Sequence, residues 1–163
     1  MIIVANSTPL VHLSAINRLE LLQQIAGELS IPEEVYQEVV SSGAGKPGAE
    51  EVKRSAWIKV EKVKDRLALK ALQSRLGLGE SACIVLAKEL TSDILIMDDR
   101  LARLEAEALG LPVMGTIGLL LAIAQKGGLD FSQTLDELLN SGFRLSAKDY
   151  QQILELWRPM KPK

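Results

Sequence analysis

The chain has 163 residues, of which 47% are hydrophobic and 4% aromatic, and its net charge is −2. It is long enough for one aliphatic core, it leaves little material for base-stacking aromatic platforms, and it has no global basic field, so any basic patch must be local. Its single cysteine excludes an internal disulfide framework and a multi-cysteine zinc site.

Met1–Ala5 is too short for a signal peptide and lacks its basic leader, and the apolar run Ile117–Ala124 falls far short of a bilayer span. A soluble, cytoplasmic domain with no membrane contact is expected. Ile2-Ile3-Val4 reads as a buried first strand closed by Asn6-Ser7-Thr8-Pro9, with Ser7 or Thr8 capping a helix that carries Leu10, Leu13 and Ile16. Leu19–Ile25 reads as a second short helix and Glu28–Ile31 as a second strand. Pro32 then opens a helix through about Val40. Ser41–Gly48 is rich in glycine and serine and is expected to be a mobile loop at the edge of a site. A weak helix at Ala49–Ser55 precedes Trp57–Val63, whose period of two predicts an edge strand with one wet face. Leu67–Leu76 reads as helical.

The stretch Gly77–Arg103 organises the rest. Gly77 and Gly79 bracket a turn, Glu80 opens a helix with Cys83, Ile84, Ala87 and Leu90 on one face, and Ile94–Met97 is a continuous apolar strand. Asp98 and Asp99 follow at its carboxyl end, before a helix at Leu101–Leu109. In open α/β sheets that end of a central strand is where ligands bind. Pro112–Met114 is a short last strand, and Gly115–Gly118 turns into an apolar helix that ends at Gly127-Gly128. Phe131–Leu139 and Ala147–Trp157 are amphipathic helices. The order predicts a three-layer α/β/α sandwich with a mostly parallel sheet, one domain over 1–158, and a frayed tail at 159–163.

Acidic residues number 21, so no single carboxylate carries weight. Asp98 suits a helix N-cap, Glu80 suits a helix dipole, and Glu34 suits a solvated face. Together, Asn6, Glu38, Glu80 and Asp98 fall at strand ends and on flanking helices, where oxygen donors gather for hard cations such as Mg²⁺ or Mn²⁺. His12 and Cys83 read as packing residues, Lys46 as a solvated loop lysine, and Arg100 or Arg103 as a phosphate contact. Gly43–Lys46 lacks P-loop spacing.

The segments N-S-T-P-L-V-x-L, I-P-E-E-V-Y-Q-E-V-V, L-G-L-G-E-S-A-C-I-V-L-A, D-I-L-I-M-D-D-R-L-A-R and G-L-P-V-M-G-T-I-G-L-L resemble, in that order, the PIN-domain superfamily. Gly142–Ser146 (G-F-R-L-S) resembles an uncharacterised nucleic-acid-binding branch of it. The resemblance implies a parallel sheet between helices and a metal-dependent ribonuclease like the VapC toxins, with an RNA substrate and an antitoxin partner; apolar surface on the C-terminal helices is expected to serve either a homodimer or an antitoxin segment. It implies Asn6, Glu38, Glu80 and Asp98 as catalytic residues and metal ligands, with Asp99 as a further ligand. Ser7, Thr8 and Arg100 follow as substrate contacts. Where the superfamily usually has Asp first, this chain has Asn6, which removes one charge from the site. The alternative is therefore a weakened module that binds RNA or a protein partner. An aspartyl-phosphate receiver is a third class, disfavoured because Asn6 has no acidic neighbour.

Overall fold

The structure, a computed structural model, describes residues 1–157; the expected tail at 159–163 lies outside them. Its strands are β1 (Ile3–Ala5), β2 (Leu29–Pro32), β3 (Ile58–Glu61), β4 (Ile94–Ile96) and β5 (Val113–Met114). They form one sheet in the order β3-β2-β1-β4-β5, and every neighbouring pair is parallel. Parallel strands need covered crossovers, and the sequence supplies them as helices. These are α1 (Ser7–Ala15), α2 (Glu20–Ala26), α3 (Glu33–Tyr36), α4 (Ala49–Arg54) and α5 (Arg66–Leu72), then α6 (Leu78–Leu90), α7 (Arg100–Ala108), α8 (Thr116–Gln125), α9 (Phe131–Asn140) and α10 (Ala147–Trp157). The architecture is the expected three-layer α/β/α sandwich. Among the described residues no helix is long and apolar enough to cross a membrane.

α6 is the central helix. Ser81–Ala87 is buried without a break, so the middle two turns of this helix have no solvent face. It lies against β2, β1 and β4 and touches α3, α5 and α7, while α9 packs on both α1 and α8. β1 and β2 are wholly buried, as strands inside a covered parallel sheet are, Ser30 of β2 included. β3 is the edge strand, but its alternation is not kept, since Lys59 and Val60 are both exposed.

Local chemistry departs from the sequence expectation at three points. Asn6, not Ser7 or Thr8, occupies the N-cap position of α1, and its side chain makes no cap bond. Gly79 lies inside α6 rather than at the far side of a turn; Gly77 is the N-cap residue. The helix after Pro32 is α-helical only through Tyr36 and widens into a π-helical turn at Gln37–Ser41.

Candidate functional site

The chain runs from β1 outward to β2 and β3, then returns to the other side of β1 for β4 and β5. The reversal opens a crevice at the carboxyl ends of β1 and β4, the position where open α/β sheets bind ligands. Asn6 follows β1 directly, and Asp98 and Asp99 stand between β4 and α7.

Glu80 is in the first turn of α6, and its carboxyl group accepts from the Gly77 amide at 3.2 Å. This is half of a capping box, and Gly77 has no side chain to complete it. Glu80 also stands within hydrogen-bonding range of the Asp99 carboxyl. Burial, then the charges of Asp99 and Glu38, push the Glu80 carboxyl above its ordinary range, against the lowering effect of the Gly77 amide. Glu38 sits on the π-helical turn, a distortion that recurs at functional sites because it re-aims one side chain. Its Oε2 accepts from the Ser7 hydroxyl at 2.7 Å. On its other side the carboxyl lies over Gly79, where any Cβ would collide with it. A glycine inside a helix costs about 0.5–1 kcal/mol relative to alanine, and here it makes room for an acid.

Beneath these groups lies Cys83, fully buried, its thiol pushed well above the ordinary range by burial and then by the charges of Glu38, Glu80 and Glu34. The Cys83 Sγ is 3.9 Å from the Asn6 Oδ1. Asn6 is itself buried, and with Cys83 it lies in the floor of the site. Glu34 pairs with Arg66 at 3.1 Å, in keeping with a structural role.

The adjacent aspartates diverge. Asp99 is the residue that caps α7, accepting from the Ala102 amide at 2.9 Å, and it faces Glu80. Asp98 turns instead to the start of α8: its Oδ1 accepts from the Thr116 amide at 2.8 Å and its Oδ2 from the Thr116 hydroxyl at 2.6 Å. Two like charges in sequence are thereby anchored at two helix N-termini, each favourable for an anion. Thr116 is fully buried and was not singled out in the sequence. The available signal was a hydroxyl residue just after the last strand, at a helix start. Asp98 also raises the His12 imidazole, but burial outweighs it and the net shift is downward.

Asp98 and Asp99 border a cavity of roughly 980 Å³ that extends away from Glu38 and Glu80, along α1 and the start of α8 toward α10. Thr8 and Arg103 line it; Ser7 and Arg100 do not. The site thus has two parts: Asn6, Glu38, Glu80 and Asp99 on one side, and Asp98 with the cavity on the other.

Among the described residues no group of three His, Cys, Asp or Glu side chains is arranged to hold a metal ion. Two carboxyl groups, those of Glu80 and Asp99, do meet, and Glu38 adds a third charge nearby. Mg²⁺ commonly takes one or two carboxylates and keeps several waters, so this all-oxygen donor set suits a hard divalent cation. A family model described as PIN domain matches residues 2–159 of the chain. No curated protein matches it.

Proposed function

Since the chain belongs to the PIN-domain family and so carries a nuclease-like fold, we propose that it is a divalent-metal-dependent endoribonuclease. Glu38, Glu80 and Asp99 are the carboxylates that would hold Mg²⁺ or Mn²⁺. The observation that supports this reading is the meeting of Glu80 and Asp99 at the switch point of the sheet, with Glu38 beside them. Crowded acids destabilise a fold unless a cation or proton offsets them, and Gly79 preserves the crowding.

When bound, a divalent ion lowers the pKa of a water for attack on phosphorus and neutralises charge on the leaving oxygen. The chain's own residues set the frame. Ser7 orients Glu38, and the Gly77 amide orients Glu80. Thr116 fixes both oxygens of Asp98 at the mouth of the cavity, so Asp98 supplies oriented charge between the acids and the substrate's path. Asn6 contributes an acceptor oxygen to the floor but no charge.

A weakened binding module is the second reading, favoured by Asn6 in the usual Asp position and by the two-carboxylate arrangement. The finer form of the first, a cytoplasmic toxin held by an antitoxin, rests on the resemblance alone. Cleavage of mixed structured RNAs in Mg²⁺, Mn²⁺ and EDTA separates nuclease from module. Metal-dependent cleavage that Glu80→Gln abolishes supports the nuclease. Millimolar Mn²⁺ that neither binds by calorimetry nor elicits cleavage overturns it.

A further inference from the structure

We propose that the cavity beside Asp98 is a cleft for a single strand of nucleic acid, with an unstacked base against Phe143 and His12 and flanking phosphates on Arg103 and Arg144. The proposal rests on the nuclease reading, because it places the strand in a space continuous with the acidic centre. It adds where that strand lies and what holds it.

Three observations carry it. Arg103 and Arg144 both line the cavity, and among the described residues neither guanidinium makes a hydrogen bond or an ion pair. Arg103 is partly buried and stands near the Asp98 carboxylate without bonding to it, so its donors remain open. Its Nη1 reaches across Gly115, where a Cβ would lie 2.8 Å from that nitrogen and 3.1 Å from Asp98 Oδ1. A planar, five-donor fork left open next to the acids suits a phosphodiester.

The second observation is aromatic. In a chain with two phenylalanines and one histidine, Phe143 and His12 meet edge-to-face in this cavity, with centroids 5.1 Å apart and planes at 83°. Burial holds the imidazole toward its neutral form. A base stacked on one ring would meet the edge of the other, the arrangement by which single strands are bound without reading a duplex. Polar groups at the far wall, including Gln152, can meet a base edge.

The third is size and continuity. A space of roughly 980 Å³ exceeds what one nucleotide fills, and it opens at Asp98 and Asp99, so a strand threaded through it passes the acidic centre. The chain's net charge of −2 argues against broad electrostatic capture, so the contact must be local.

The test is fluorescence anisotropy with a fluorescein-labelled, mixed-sequence, single-stranded 12-mer, in RNA and DNA forms and as a duplex. The full chain is used in EDTA, with Mn²⁺-dependent cleavage measured in parallel. Single strands should bind at least tenfold tighter than the duplex. Two phosphate contacts imply a log–log salt slope of about −1.4, and Arg144→Ala should bring it to about −0.7. Arg144→Ala and Phe143→Leu should each weaken binding about tenfold. Lys62→Ala, an exposed lysine just past β3 at the far edge of the sheet, should keep wild-type affinity. Phe143→Leu preserves apolar volume, and circular dichroism checks its fold. Equal duplex affinity, equal loss in Lys62→Ala, or wild-type affinity in both cavity variants overturns the cleft. If cleavage by the wild type persists alongside such a result, the nuclease reading stands and only the cleft fails. Lack of metal-dependent cleavage, with the single-strand binding pattern intact, sinks the nuclease reading and leaves the cleft.

Discussion

Thr116→Val removes one hydroxyl and leaves shape and backbone alone. In the wild type the Thr116 hydroxyl donates to Asp98 Oδ2 at 2.6 Å while its amide donates to Oδ1 at 2.8 Å. The valine keeps the second bond and replaces the first with a methyl facing a carboxylate. Hydrogen bonds to charged groups contribute about 1.5–3 kcal/mol. Asp98 is only partly buried, so water can replace part of the lost donor, and about 1–2 kcal/mol is the expected cost. In a chain of 163 residues each kcal/mol shifts Tm by about 2–4 °C, so the melting midpoint should fall by about 2–8 °C. The assay is thermal denaturation by circular dichroism at pH 7 in EDTA, with cleavage rates measured in Mn²⁺. Thr116→Ser separates packing from polarity: it keeps the donor and deletes a buried methyl, so its cleavage should follow wild type even where its Tm drops. A Thr116→Val midpoint within about 1 °C of wild type would refute the account of Asp98 as an anchored group.

Gly79→Ala should leave the metal-free fold unchanged or more stable by about 0.5–1 kcal/mol, yet weaken Mn²⁺ binding. The new Cβ strikes only the mobile end of Glu38; parallel melts and calorimetry would show the split, and unchanged Mn²⁺ affinity would remove Glu38 from the site. Glu80→Gln should stabilise the metal-free protein slightly at neutral pH, the gain being modest because Glu80 is partly solvated. The sign follows from a folded-state pKa raised above an ordinary value of 4.5: the wild type's stabilisation by neutral Glu80 is complete below that pH and lost as pH rises through the folded value. Melts from pH 4 to 8 should therefore converge at the acid end, and divergence there would contradict the assignment. Asn6→Asp places a charge on a buried floor beside Glu38 and Glu80, so it should lower Tm in EDTA but tighten Mn²⁺ binding by on the order of 1–3 kcal/mol. If both quantities match wild type, Asn6 does not face the acids.

Much of the architecture was legible in the residue pattern. Ile94–Met97 read as a covered strand, because a short run of four apolar residues flanked by polar ones suits a strand with no wet face. The helical spacing of Cys83, Ile84, Ala87 and Leu90 was equally plain. The roles of Asp98 and Asp99 were not, since either could cap the next helix by sequence alone; in the fold Asp99 caps α7 and Asp98 is tied to α8. The π-helical turn that carries Glu38 left no periodic trace, because a single widened turn shifts the pattern by only one residue. Nor did the sequence distinguish Arg103 from Arg100, one turn apart on opposite sides of the cavity's boundary.

By itself the sequence determined the alternation of strand and helix, the aliphatic core and the presence of acids after the strands. These depend on local spacing and side-chain polarity, which neighbours along the chain set. The tertiary structure alone decided that β4 lies beside β1, which sets the strand end before Asn6 next to the one before Asp98 and Asp99. It decided as well that β5 follows β4, which brings Thr116 to Asp98. Strand order is fixed by how the crossover helices pack, a sum over many weak contacts, and no pair of residues announces it.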